Sequence, residues 1–265
     1  MLRRSTARPS AGTAALAAER LARAAEAAAR GDWDAALGIW NGLAHAGVAR
    51  AQAEIGRCFV NGWGVERDTA LASQWLMLAA NAGDPLGQRL LGDFHFNGEA
   101  GKPDRAIAEE WYARAARQGE PHAQDMLSWI LTEGDHRKPD YAEAREWALK
   151  AAAQGIAASM TRLGLLYHNA LGVERDAHTA ALWWRKAAAL DDADAQAMLG
   201  AAHHLGAGVP RDPALALALL TRARSARSKF ADRFYAAVRA SCTAEQRREA
   251  ERRAYLPFAD QEGPP

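Results

Sequence analysis

The chain has 265 residues, 49% of them hydrophobic and 25% charged, with a formal net charge of +1. This is an ordinary soluble composition, and no stretch approaches the ~18 consecutive apolar residues of a membrane span. The two cysteines, Cys58 and Cys242, form no repeating framework, so nothing calls for an oxidising compartment.

The small net charge conceals an uneven distribution. Residues 1–30 carry six Arg against two Glu, residues 31–220 carry 17 basic against 24 acidic side chains, and residues 221–255 carry ten basic against four acidic. An acidic body between basic ends suits a basic protein partner or self-association of oppositely charged regions, and no nucleic-acid partner is expected. Residues 1–12 open on Met-Leu-Arg-Arg. The best apolar window, Ala11–Ala18, lacks the Leu-, Val- or Ile-rich core of a signal peptide, so the segment is expected to be disordered and the protein cytoplasmic.

Residues 13–49 are expected to form an N-terminal capping helix pair: an Ala-rich helix over Thr13–Arg30, then a second from Gly31-Asp32 to Gly47. From residue 50 to 225 a 36-residue period takes over. It carries Trp75, Trp111, Trp147 and Trp183; Asp68, Asp104, Asp140, Asp176 and Asp212; and Gly56, Gly92, Gly164 and Gly200, with Ser128 filling the gap. A fixed period of this length marks stacked repeats, each unable to bury its apolar face alone.

Within the unit 51–83, Ala51, Ile55, Gly56 and Phe59 share the spacing of a first helix that ends near Asn61-Gly62. A short glycine-punctuated loop turns the chain back. Asp68 then stands where an N-cap is needed, Leu71, Ala72, Trp75, Leu78 and Ala79 form the stripe of a second helix, and Gly83 stops it. The fold class that follows is all-α: an α-solenoid of stacked antiparallel helix pairs.

Loops carrying Ala100-Gly101 and His136-Arg137 in place of Gly64-Val65 are expected to run differently. The recurrent helix glycines imply close approach of a large residue from the opposing helix, and the periodic tryptophans are expected to be that core, Trp147 above all. Trp33, outside the period, is expected to matter less. Residues 226–255 are two closing helices, the second opened by the capping box Thr243-Ala244-Glu245-Gln246. Residues 256–265 are a frayed tail.

Leu163-Gly164, Tyr167, Gly172-Val173, Asp176, Ala180, Trp183 and Ala187-Ala188 together resemble the Sel1-like repeat, a relative of the tetratricopeptide repeat, over roughly residues 50–225. The resemblance implies a right-handed superhelix that acts as a non-enzymatic adaptor or scaffold for protein–protein interaction, often in bacterial signalling, secretion or envelope regulation. The third unit departs most, with Ser128-Trp129 and no Gly-Val loop. Two other readings stay open: an inhibitory or immunity-type partner of another protein, and a hydrolase or small-ligand protein using the His168, His203 and His204 neighbourhood.

No phosphate loop, dinucleotide fingerprint or nucleophile elbow occurs, so no catalytic residue, metal or cofactor is expected. The candidate partner-binding residues lie on the first helices, which in such solenoids line the concave face. Asn61, Asn97, Glu133 and Asn169 step along the position before the loop glycine. Their side chains suit the N–H and C=O groups of an extended peptide, although asparagine also suits the end of a helix. Trp129 stands out of register as a possible aromatic anchor. His168 and His204 complete the set.

Overall fold

The computed structural model describes residues 11–99, 101–134 and 136–258. The disordered segment and frayed tail expected at the termini lie mostly outside them. Among the described residues the chain is all-helical, and no helix is long and apolar enough to cross a membrane. The N-terminal pair is α1 (Ala11–Ala29) and α2 (Trp33–His45). The repeats supply α3 (Ala49–Asn61) and α4 (Thr69–Asn81), α5 (Pro85–Phe96) and α6 (Arg105–Arg117), then α7 (Pro121–Glu133) and α8 (Tyr141–Ala153). They continue with α9 (Ala157–His168) and α10 (Ala177–Ala188), and with α11 (Ala193–Leu205) and α12 (Pro213–Ser225). Two further helices, α13 (Ala231–Ser241) and α14 (Ala244–Ala254), follow.

The chain divides into two compact units, Met1–Ala123 and Gln124–Pro265. Each is built of stacked antiparallel helix pairs, the α-solenoid class. In the first, Trp40, Ile55 and Cys58 form one buried cluster and Leu76, Leu91, Phe94 and Trp111 another. In the second, Leu163, Trp184, Leu199 and Leu219 share a core, and Val238, Cys242 and Ala250 pack beneath α12 to close the end.

Local chemistry explains the recurrence. Asp32, Asp68, Asp104, Asp140, Asp176 and Asp212 each accept a hydrogen bond from the backbone N–H three residues on, at 2.8–3.1 Å. These bonds satisfy donors that a helix start leaves free. The five aspartates from Asp68 to Asp212 also close the loop: their own N–H groups donate to Phe59, His95, Leu131, Tyr167 and His203 carbonyls at 2.9–3.1 Å. The atypical third loop therefore ends in the standard bond. Its departure lies inside the loop, where Gly64, Gly172 and Gly208 have positive φ and His136 takes the place of the glycine. Thr243 and Gln246 form the expected capping box.

A second periodic device was not anticipated. Buried Gln52, Gln88 and Gln196 each donate through Nε2 to the carbonyl eight residues earlier, at Ala44, Ala80 and Ala188, over 3.1–3.5 Å. Each thus adds a second donor to a carbonyl at the end of the preceding second helix, which already accepts the N–H of Gly47, Gly83 or Asp191.

The helix glycines do admit a large residue, but it is the neighbour of the expected one. A Cβ on Gly56 would lie 2.7 Å from the Leu76 side chain, and one on Gly92 2.8 Å from the Tyr112 ring. At Gly164 it would collide with the Trp184 indole. The deep-core series is therefore Leu76, Tyr112, Ala148, Trp184 and Leu220, all fully or almost fully buried. Ser128, the one larger side chain in the glycine series, coincides with Ala148, the smallest residue in the opposing one.

The expectation for the periodic tryptophans is corrected accordingly. Trp111 is buried, but Trp75, Trp147 and Trp183 are only half-buried. A cation one turn on covers three of them: Arg114 over Trp111 at 4.3 Å, Lys150 over Trp147 at 3.8 Å and Lys186 over Trp183 at 4.4 Å. They form the solvent-side shoulder of the second helices, with the cation–π contacts available to a partly exposed ring. Trp33 is likewise no bystander. It stacks on Trp63 at 5.1 Å and locks α2 against the first repeat loop.

Candidate functional site

The first helices of each unit line a groove. In the first unit it is about 230 Å³, bounded by Arg57, Asn61, Arg89, Asp93, Asn97 and Glu99 above Val60, Leu90 and Phe94. Its charged residues are tied to neighbouring side chains. Arg57 reaches Glu54 at 2.6 Å, Arg89 lies 2.5 Å from Asp93 and 3.3 Å from Glu120, and the Tyr112 hydroxyl donates to Asp93 at 2.7 Å. Burial pushes the carboxyls of Glu54 and Asp93 above their ordinary range, and the neighbouring arginines offset only part of this. Burial also raises the Tyr112 phenol, reinforced by Asp93, so it serves as a donor only.

The groove of the second unit is about 340 Å³ and is lined by Trp129 and Glu133 of α7, Arg162, Leu165 and Asn169 of α9 and its cap, and Asp194 of α11. Arg162 is turned onto Asp125, 2.7 Å away. The Ser159 hydroxyl donates to the same carboxylate at 2.6 Å.

The candidate residues divide between these places. Asn61 and Asn97 meet in the first groove; Trp129, Glu133 and Asn169 meet in the second. Asn61 Nδ2 already donates to the Arg57 carbonyl of its own helix at 2.8 Å, and Asn97 and Asn169 are helix C-caps. Helix termination thus accounts for part of their recurrence.

His168 and His204 line neither groove. His168 packs against the Trp184 ring at 5.4 Å, and burial lowers its basicity. His204 is half-buried, and its neighbour His203 shares a hydrogen bond with the Pro210 carbonyl at 3.0 Å. Among the described residues no group of three His, Cys, Asp or Glu side chains is placed to hold a metal ion.

Sequence reasoning missed Arg57, Arg89, Asp93, Leu165, Asp192 and Asp194. A signal was present. One first-helix position reads Arg57, Asp93, Trp129, Leu165 and Ala201 across the repeats, varying in type while the residue before it is Gly56, Gly92, Ser128, Gly164 or Gly200.

A family model described as Sel1 repeat matches residues 49–84, 85–120, 121–156, 157–192 and 193–227. Among curated proteins none matches. Among solved structures, a Sel1 repeat protein from Oxalobacter formigenes superposes with a TM-score of 0.74 at 28% identity, over 88% of this chain and 96% of that one. The protein c5321, a protective antigen of uropathogenic Escherichia coli, gives 0.57 at 26% identity over 83% of this chain and 55% of that one. A third structure, a putative Sel1 repeat protein from Klebsiella pneumoniae, shares the fold at 20% identity with a TM-score of 0.50, over 76% and 97% of the two chains.

Proposed function

Because the chain belongs to the Sel1 repeat family, whose members generally mediate protein–protein interactions, we propose that it is a non-enzymatic adaptor. It holds an extended segment of a protein partner on the face built by the first helices, in the cytoplasm of a bacterial cell. One observation carries this reading: Trp129, Glu133 and Asn169, from successive first helices, converge on one groove of about 340 Å³. An aromatic anchor beside groups that hydrogen-bond a peptide backbone is the arrangement by which short segments are recognised. Adaptor roles in signalling, secretion or envelope regulation fit a surface of this kind.

The reading is tested by selecting phage-displayed peptides against the full chain and measuring their affinity for variants. Trp129→Ala is expected to weaken binding at least about tenfold, as truncation of an anchor does. The triple variant Asn61→Ala, Asn97→Ala and Asn169→Ala is expected to weaken it less. Leu182→Ala, on the exposed side of α10, should leave it unchanged. Selected peptides that bind folded Trp129→Ala and the triple variant as well as wild type, but fail on Leu182→Ala, would remove the first-helix face from consideration.

A further inference from the structure

Comparison between repeats isolates residues that the fold itself does not require. Where Trp129 stands, the other units have Arg57, Asp93, Leu165 and Ala201; where Asp194 stands, they have Arg50, Leu86, His122 and Ala158. Both exceptional residues open on the same groove of the second unit. Its wall is apolar, from Trp129, Leu165, Leu171 and Phe230, and its rim carries the carboxylates of Glu133, Asp192 and Asp194.

Those carboxylates are held in place. One oxygen of Asp192 accepts from the Ala195 N–H at 2.8 Å and from the Thr161 hydroxyl at 2.9 Å. One oxygen of Asp194 accepts from the Ser228 hydroxyl at 2.6 Å. The second oxygen of each has no hydrogen-bond donor among the described residues. Arg162, the guanidinium in the lining, is already committed to Asp125 at 2.7 Å. Among the described residues the groove lining therefore carries three rim carboxylates and one guanidinium, that of Arg162, which pairs with Asp125. The first unit's groove differs: there Arg89 pairs with Asp93 and Arg67 with Glu99, so both lining carboxylates already meet a guanidinium.

Resting on the peptide-binding reading above, we infer that the second unit's groove recognises a protein segment in which a bulky apolar side chain is flanked by lysine or arginine. The apolar side chain enters beside Trp129, and the flanking cations reach the second oxygens of Asp192 and Asp194 and the Glu133 carboxylate. Fixed acceptors lose little freedom on binding, and like-charged segments are repelled, so the pattern sets specificity as well as affinity.

The test uses the full chain and peptides selected from a random displayed library at low salt. Enriched peptides are expected to place Lys or Arg within two residues of Trp, Phe or Leu. The affinity of a fluorescein-labelled enriched peptide should fall about tenfold with Asp194→Asn combined with Glu133→Gln. It should fall by a similar factor between low and about 0.5 M salt, where exposed charges are screened. The amide of Asp194→Asn still offers an oxygen to Ser228, and Glu133 is exposed, so the variant should melt as wild type does.

Peptides that depend on Trp129 yet show no basic preference, or that ignore the charge-removing variant, would overturn this inference and leave the peptide-binding reading intact. A library that yields no binder would overturn both. A concentration-dependent dimer in sedimentation that Glu133→Gln dissolves would assign the groove to a second copy of the chain and overturn it as well.

Discussion

Gly164 and Ser128 occupy the same repeat position, yet replacement by alanine should have opposite effects. At Gly164 an added Cβ collides with the Trp184 ring, and that ring is fixed by its core neighbours and by the hydrogen bond from its Nε1 to the Thr161 carbonyl at 3.3 Å. Overpacking of this kind costs about 1–3 kcal/mol. Ser128 already has a Cβ, facing a series whose member there is Ala148, and its buried Oγ has no hydrogen-bond partner. An unpaired buried hydroxyl costs roughly 1–3 kcal/mol. Ser128→Ala should therefore raise the urea midpoint while Gly164→Ala lowers it, with the slope unchanged in both. Equal losses would mean that the Ser128 hydroxyl contributes to stability and that the two positions do not differ in packing as described.

At the level of the helix, the sequence disclosed the devices in which one residue decides the outcome. An aspartate before a helix has one task, and all six periodic aspartates perform it. Core tryptophans were harder to identify. The invariant series is Trp75, Trp111, Trp147 and Trp183, but the deep series is its neighbour, Leu76, Tyr112, Ala148, Trp184 and Leu220. The deep residue varies with the space its opposing first helix leaves, so periodicity conceals it and preserves the shoulder residue instead. The groove was half-legible for a related reason: the asparagines recur, whereas Trp129 and Leu165 share a register whose residue type changes from unit to unit, and Asp192 and Asp194 stand in two others. Trp184→Ala should accordingly cost about 3–5 kcal/mol, the range for a core aromatic. Trp147→Ala should cost far less, because its ring is half-exposed under Lys150 and its Nε1 reaches only Glu143, at 3.2 Å. Thermal melts of the two variants check this ordering, and a larger loss at Trp147 would restore the periodic series as the core.

Across the whole molecule, the ionisable groups divide the two units by their response to acid. In the first unit, burial raises the carboxyls of Glu54 and Asp93. A carboxyl whose pKa is higher folded than unfolded binds its proton more readily in the folded state, so its contribution to stability grows as pH falls from neutrality toward the ordinary carboxylate value of about 4. In the second unit the sign is reversed. Hydrogen bonds from Arg252 and Arg253 hold the Glu249 carboxyl down at about 2. That contribution is present above the ordinary value and disappears as pH falls toward the depressed one. Hydrogen exchange read peptide by peptide, corrected for intrinsic rates, separates the units. Protection across α3 and α5 should increase between pH 7 and about pH 5, whereas α14 should hold its protection there and lose it only in stronger acid. Glu54→Gln with Asp93→Asn should flatten the first response and leave the second intact. A parallel loss of protection in both units on mild acidification would show that the paired arginines, and not burial, govern Glu54 and Asp93.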